Sequence, residues 1–86
     1  MGYLYLGNDS VIEEQAIVGV FDLDNASWSV HTRRFLSAAE KQRKLINAAE
    51  DIPKSFVVCT DETVILTQPN TAILAKRLNE QEKTNV

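Results

Sequence analysis

Short apolar runs separated by polar turn residues dominate the first quarter of the chain. Residues 3–6 (Tyr-Leu-Tyr-Leu) suit a half-buried strand, and residues 7–10 (Gly-Asn-Asp-Ser) have strong turn chemistry. The chain returns through Val11 and Ile12, and the acidic segment 13–15 predicts a bend. Residues 16–21 form a continuous apolar run, which predicts a strand buried on both faces.

The pattern then changes to that of an amphipathic helix. A polar loop over residues 22–29 precedes a predicted helix over residues 30–43, which Ser27 or Ser29 is placed to cap through its hydroxyl. On a helical projection four cations share one arc about 100° wide: Arg33, Arg34, Lys41 and Lys44. The sequence therefore predicts a central helix with a basic outer face.

The second half of the chain predicts a hairpin and a second helix. Residues 55–59 and 63–67 are apolar and flank the polar segment 60–62, which is typical of two strands joined by a tight turn. Residues 45–48 fit either a short strand or a helix end, and residues 50–53 predict a loop because the residue before Pro53 avoids the helical region. Pro69 suits the first position of a helix that continues over residues 71–81.

These elements predict an α+β domain with a small, mostly antiparallel sheet of about five short strands, one central helix and one C-terminal helix. We expect one domain over residues 1–80 and a frayed tail over residues 81–86. With 86 residues and 44% apolar composition, the chain is long enough for one core only. A chain this short buries little surface, so a partner subunit would help to reinforce its core.

Composition narrows the location and the chemistry. The longest apolar run falls far short of the ~20 residues that span a bilayer. Cys59 is the single cysteine and no apolar leader precedes the first strand, so we expect a cytoplasmic protein without membrane contact. The glycines form no phosphate-binding loop, and neither a cofactor nor a small-molecule substrate is expected.

Charge is distributed unevenly along the chain, whose net charge is -3. Residues 1–30 contain acids but no Lys or Arg, whereas residues 31–44 are rich in bases. The basic helix face has three alternative uses: contact with DNA phosphates, contact with the acidic surface of a neighbouring subunit, or simple solvation. The candidate nucleic-acid residues are Arg33, Arg34, Lys41, Lys44 and Lys54, and the candidate oligomer-interface residues are Glu13, Glu14, Asp22, Asp24 and Trp28.

Catalysis finds little support in the residues. Asp22-Leu23-Asp24 follows an apolar strand, as the nucleophile loop of dehalogenase-type phosphatases does, but such a site needs Mg²⁺, further carboxylates and a longer α/β domain. His31 and Cys59 have no spacing that indicates a catalytic pair, and one of each cannot build a tetrahedral metal site. We therefore predict a non-enzyme without a bound metal. Trp28 either covers the core or anchors an interface.

Several short motifs resemble the RemA/RemB family, and most closely its RemB branch. They are residues 3–7 (Tyr-Leu-Tyr-Leu-Gly), 17–22 (Ile-Val-Gly-Val-Phe-Asp) and 53–58 (Pro-Lys-Ser-Phe-Val-Val). Residues 68–71 and 76–78 resemble the RemA branch, and the similarity covers residues 3–78. The resemblance implies a bacterial cytoplasmic regulator of extracellular-matrix and biofilm genes, a fold related to LytTR DNA-binding domains, and rings that present basic residues to DNA.

The chain departs from this family pattern at the implied DNA contacts. RemA-type proteins carry arginines after the first hairpin and in the loop before the strand that begins near residue 55. Here those segments are residues 13–16 (Glu-Glu-Gln-Ala) and 50–53 (Glu-Asp-Ile-Pro), and Lys54 alone preserves a base. Carboxylates repel phosphates, so the resemblance implies a regulator whose DNA binding is weakened. The alternative is an oligomeric protein-interaction or scaffold module that does not bind nucleic acid.

Overall fold

The fold combines six strands and two α-helices in the part of the chain that the structure describes. The computed structural model describes residues 2–7, 10–23 and 29–84. The strands are β1 (Tyr3–Gly7), β2 (Ser10–Glu13), β3 (Ile17–Asp22), β4 (Leu45–Asn47), β5 (Ser55–Cys59) and β6 (Val64–Thr67). The helices are α1 (Val30–Lys41) and α2 (Thr71–Thr84), and a 3-10 turn spans Glu14–Ala16. The predicted α+β class is confirmed.

The strands form two sheets rather than the one that was expected. β1 and β2 make an antiparallel hairpin, and the larger sheet has the order β3-β5-β6-β4. β5 is antiparallel to both β3 and β6, whereas β4 is parallel to β6. It follows that β3, β6 and β4 all run in one direction. The 3-10 turn at the predicted acidic bend carries the chain from the hairpin into the larger sheet.

The larger sheet is the middle of three layers. Because side chains alternate along a strand, β5 contributes Phe56 and Val58 to one face and Val57 and Cys59 to the other. The first face packs against α1, with Ala39 and Val64 buried there. The second face packs against the β1–β2 hairpin and α2, and its buried cluster consists of Leu4, Leu6, Val57, Cys59 and Leu74. β5 is thus the centre of both cores.

α1 ends earlier than predicted, and this moves Lys44 off the helix. The N–H of Arg43 donates to the carbonyl of Glu40 (3.0 Å) and the N–H of Lys44 to that of Ala39 (2.8 Å), which is a Schellman termination. Arg43 occupies the left-handed position with φ 59°. Lys44 therefore lies immediately before β4, and its predicted place on the basic helix face is wrong. At the other end Ser29 is the N-cap residue, but its hydroxyl makes no capping hydrogen bond.

α2 begins at Thr71 and not at Pro69. The side chain of Asn70 accepts a hydrogen bond from the N–H of Ile73 (2.9 Å), so Asn70 is the capping residue. Pro69 instead presents its carbonyl to the hydroxyl of Ser55 (2.6 Å), which also bonds to the buried hydroxyl of Thr67. This network joins β5, β6 and the segment that enters α2.

β3 is not buried on both faces, and it is an edge strand of the larger sheet. α1 packs over β5, β6 and β4, and it leaves the same face of β3 partly open. Val18 and Phe21 are 65% and 45% exposed. A register shift between Ile17 and Gly19 bulges the strand at Val18. The apolar run correctly predicted a strand, but it did not predict an edge.

Candidate interaction surface

An apolar groove runs between α1 and the edge strand β3. We call it the α1–β3 groove; its volume is about 340 Å³ and its lining consists of Val18, Phe21, His31, Thr32, Phe35, Phe56 and Val58. It exists because the helix axis lies over the middle of the sheet and does not reach the β3 edge. Three phenylalanines and two valines make it a surface suited to apolar side chains.

The aromatic residues of the groove hold one another in place. Phe21 stacks on Phe56 with ring centroids 5.2 Å apart and an interplanar angle of 21°, and Phe35 lies 6.5 Å from Phe56. Phe56 is buried and forms the floor, whereas the other two rings are about half exposed. Gly19 makes room for Phe21, since a Cβ at Gly19 would lie 2.9 Å from the Phe21 ring. The groove is therefore formed within a single subunit.

A second depression continues along α1 towards the turn between β5 and β6. Its volume is about 440 Å³, and it shares Val18, Phe35 and Val58 with the α1–β3 groove. Glu62 lies at its far end. Together the two depressions form a long apolar channel with a charged end. Isolated exposed apolar residues are common on proteins, but a contiguous set of this kind indicates an interaction surface.

The outer side of α1 carries a row of cations, which we call the basic ridge: Arg33, Arg34 and Lys41. All three side chains are exposed. Arg34 and Lys41 make no ion pair with any residue that the structure describes. With a rise of 1.5 Å per residue, the ridge extends about 12 Å from Arg33 to Lys41. Three of the four cations that the sequence predicted for the basic face of this helix lie on it.

Lys44 and Lys54 do not join the basic ridge. The Nζ of Lys44 donates to the carbonyl of Asp61 (2.8 Å) and lies 3.8 Å from a carboxylate oxygen of Glu62, beside the turn between β5 and β6. Lys54 precedes β5, where its backbone bonds to Leu23 and Thr67. The two lysines thus lie at opposite ends of the sheet. The five candidate bases are distributed over three places and do not form one patch.

The candidate acidic residues are likewise separated. Glu13 ends β2, and the N–H of Glu14 donates to the carbonyl of Gly2 (2.9 Å), so both lie near the start of β3. Asp22 lies at the other end of β3, opposite Ser55. Asp24 and Trp28 lie outside the described residues. Glu13 is exposed and Glu14 half-buried.

The acids Glu50 and Asp51 are held in place by the side chain of Gln68, to which the sequence assigned no individual role. The backbone N–H groups of Glu50 and Asp51 both donate to the side-chain oxygen of Gln68, at 3.2 Å each. This holds the loop after β4 against the end of β6. Both carboxylate side chains are exposed.

Arg77 is a second residue to which the sequence assigned no individual role. Its guanidinium donates to the carbonyl of Tyr5 (2.8 Å) and lies 5.3 Å from the centre of the Tyr5 ring. These contacts attach α2 to β1 across 72 residues of sequence. A separate groove of about 480 Å³ adjoins them, with Gly7, Glu50 and Ile73 in its lining. Arg77 has this structural role only because α2 packs on the hairpin and brings it to Tyr5.

His31 and Cys59, the two residues considered as a catalytic pair, do not meet. Cys59 is buried on the hairpin side of the sheet, whereas His31 is exposed on α1. Burial raises the pKa of the Cys59 thiol, and the negative charge of Asp61 raises it further. The pKa of Asp61 is lowered mainly because its carboxylate accepts a hydrogen bond from the N–H of Thr63 (3.0 Å). A protonated, buried thiol is a poor nucleophile.

Two further observations concern metals and membranes. Among the residues that the structure describes, no three His, Cys, Asp or Glu side chains are grouped so that they could hold a metal ion. Within the same residues, neither helix has the length and apolarity that crossing a bilayer requires.

Comparison with known proteins gives two matches that cover most of the chain. The RemA-like family, described as extracellular matrix regulatory protein A-like, matches residues 3–78. Extracellular matrix regulatory protein B of Bacillus subtilis (strain 168) is 32% identical over 75 residues, which cover 87% of this chain and 88% of that protein. The matched region includes the α1–β3 groove and the basic ridge.

Proposed function

Because the chain belongs to the RemA-like family of extracellular matrix regulatory proteins, we propose that it is a non-enzymatic regulator that acts as a homo-oligomer and binds DNA weakly. The predicted membership of the family is confirmed by both matches. The single observation that carries the proposal is that α1 combines an exposed basic ridge with an exposed apolar groove. One side of the helix suits phosphates, and the other suits a protein surface.

The basic ridge is the element that we assign to DNA. Exposed cations release condensed counterions when they contact phosphates, and this term gives most of the sequence-independent affinity. Three cations per subunit are few, and the exposed acids Glu13, Glu50 and Asp51 oppose them. A single subunit therefore binds weakly, and an oligomer adds its ridges through effective concentration.

The α1–β3 groove is the element that we assign to assembly. Val18, Phe21 and Phe35 each expose more than two-fifths of their surface in one contiguous region. Removing apolar surface from water contributes about 25 cal/mol per Å², and a chain of this size benefits from such burial. The partner subunit would replace water along the channel.

A second candidate function is an oligomeric protein-interaction module that does not touch nucleic acid. The observation in its favour is the placement of acids at two ends of the molecule: Glu13 and Glu14 near the start of β3, and Glu50 and Asp51 after β4. In this alternative the basic ridge binds an acidic protein surface instead of phosphates.

The two functions are separated by the salt dependence of binding to duplex DNA. Fluorescence anisotropy with a labelled random duplex is measured for the wild type and for a variant with Arg33→Glu, Arg34→Glu and Lys41→Glu. Three phosphate contacts predict a slope of about -2.7 in log K against log salt for each ridge engaged. The variant is expected to abolish binding, whereas Lys76→Glu, a charge reversal at an exposed position on α2, serves as the matched control.

The result also decides between the candidates. Absence of micromolar binding by the wild type at low salt contradicts DNA binding and favours the interaction module. Equal losses for the ridge variant and Lys76→Glu contradict the assignment to the ridge. Size exclusion with light scattering tests assembly, and a wild type with the mass of one chain at high concentration refutes both candidate functions.

A further inference from the structure

The larger sheet has two outer edges, and within the described residues no strand pairs with either. β3 forms one edge and β4 the other. The N–H of Val64 donates to the carbonyl of Lys44, and the N–H of Ala48 to that of Leu66. By the alternation of a parallel ladder, the backbone groups of Leu45 and Asn47 point outward from β4. On β3, the N–H of Leu23 donates to the carbonyl of Lys54, so Leu23 faces β5. Inward and outward residues also alternate along an antiparallel strand, and the backbone groups of Val20 therefore point outward.

The two edges have compatible directions. β3 and β4 run parallel to each other within the sheet, since both are parallel to β6. A second copy placed in the same orientation beside the first therefore brings its β4 next to β3 as a parallel pair. Strands in a sheet lie about 4.8 Å apart, so the repeat from copy to copy would be about 19 Å.

The charges near the two edges are complementary at one end of the sheet. Glu13 and Glu14 precede the start of β3, and Arg43 and Lys44 precede the start of β4. The bond from the N–H of Thr60 to the carbonyl of Ala16 places the start of β3 at the same end as Lys44. Parallel pairing between copies brings bases of one copy towards acids of the next. Antiparallel pairing of two β3 strands would instead bring Glu14 towards Asp22 of the other copy, which places like charges together.

Arg43 supplies an independent observation. It holds the left-handed position of the Schellman termination, with φ 59°, where glycine is lower in energy. Its side chain is exposed and makes no ion pair with any described residue. Among the described residues no ion pair compensates for arginine at this position.

We propose that the β4 edge of one copy pairs with the β3 edge of the next, so that the sheet continues through the oligomer and Arg43 faces Glu14. This inference rests on the proposed homo-oligomer and assigns its interface. The contact is heterologous, so it closes into a ring or continues as a filament, depending on the rotation between copies. Val18, at 65% exposure on the bulge of β3, becomes covered in the process.

The first experiment blocks each edge separately and measures self-association by sedimentation velocity. Val18→Lys places a charge on the β3 edge, and Asn47→Pro removes an outward N–H from β4. Each variant is expected to raise the dissociation constant Kd of self-association at least about tenfold, which corresponds to a loss of about 1.4 kcal/mol in binding free energy. Val11→Lys is the matched control, because Val11 is 57% exposed but lies on β2. Circular dichroism verifies that each variant is folded.

The second experiment mixes the two blocked variants. Val18→Lys retains an open β4 edge and Asn47→Pro an open β3 edge, so an equimolar mixture is expected to form a heterodimer that grows no further. An interface between identical patches predicts no such complementation. Absence of a heterodimer from two folded variants, or wild-type association in both single variants, overturns the proposal.

A third variant separates assembly from folding. Arg43→Gly is expected to weaken self-association while the fold becomes more stable. Glu14→Lys and Arg43→Asp are each expected to weaken self-association, and the double variant that combines them is expected to restore it. Failure of the double variant to recover association contradicts the pairing of these residues. A wild type that is monomeric refutes the homo-oligomer itself, whereas a wild-type oligomer unaffected by every edge variant refutes only this interface.

Discussion

Replacing Arg43 by glycine is expected to stabilise the subunit, although it removes a charged side chain. Arg43 follows the last residues of α1 as the C′ residue of the Schellman termination, and its φ of 59° lies in the left-handed region. There the Cβ of any L-residue lies too close to the neighbouring carbonyl oxygen. Glycine has no Cβ and adopts the same backbone without this contact.

The magnitude follows from two opposing terms. The left-handed conformation costs a non-glycine residue about 1–2 kcal/mol. Glycine loses more backbone entropy on folding than other residues do, and this cost reduces the gain in stability by about 0.5–1 kcal/mol. Arg43 contributes no ion pair with a described residue that would be lost, so the net gain is about 0.5–1 kcal/mol. For a domain of this size that corresponds to a rise in Tm of about 4 °C.

Urea unfolding followed by circular dichroism measures this effect. The comparison is made in the Val18→Lys background, so that changes in self-association do not contribute to the apparent stability. Ala38→Gly is the matched control, because Ala38 is exposed on the same helix in right-handed geometry and is expected to lose about 1 kcal/mol. Opposite signs support the reasoning. A midpoint that falls for Arg43→Gly as well as for Ala38→Gly refutes it.

Three further predictions concern the interior. Phe56→Ala removes the buried floor of the α1–β3 groove and the stack with Phe21, so urea unfolding should show a loss of about 3–5 kcal/mol. Ser55→Ala should cost about 2 kcal/mol and Thr67→Val about 1 kcal/mol in free energy of unfolding, because only Ser55→Ala deprives the Pro69 carbonyl of its 2.6 Å donor. Equal losses for the two single variants of a double-mutant cycle would contradict this. Because burial raises the pKa of Cys59, the folded protein keeps the thiol proton to a higher pH than the unfolded chain does. The resulting stabilisation is present below the ordinary thiol pKa and is lost as pH rises through the folded pKa. Urea midpoints should therefore fall above about pH 8.5 in the wild type and fall less in Cys59→Ala.

Local chemistry was sufficient to predict most elements. The hairpin of β5 and β6 was predicted at almost its observed bounds, because apolar runs on both sides of a polar turn are a pattern of near neighbours only. The predicted start of α1 at residue 30 agrees with the structure. Its end was misplaced, because arginine at a left-handed termination has no sequence signal comparable to glycine. The capping role of Asn70 was missed because Pro69 gave the stronger local signal.

The interaction surface was predictable only in part. The basic ridge is a property of one helix and of its period, so Arg33, Arg34 and Lys41 could be grouped from the sequence alone. Lys44 and Lys54 could not be placed, since the distance between them depends on how β4 and β5 are arranged in the sheet. The roles of all five cations in nucleic-acid binding stay predictions.

The sequence by itself determined the α+β class, the positions of the main strands and the resemblance to the RemA-like family, because these depend on short-range patterns of apolar and polar residues. The tertiary structure decided what those patterns face. The apolar run that forms β3 has the same composition whether it lies in the middle of a sheet or at its edge. Only the strand order β3-β5-β6-β4 and the position of α1 over the other three strands leave Val18 and Phe21 exposed. Exposure depends on which distant segments cover a strand, and that information lies in the packing.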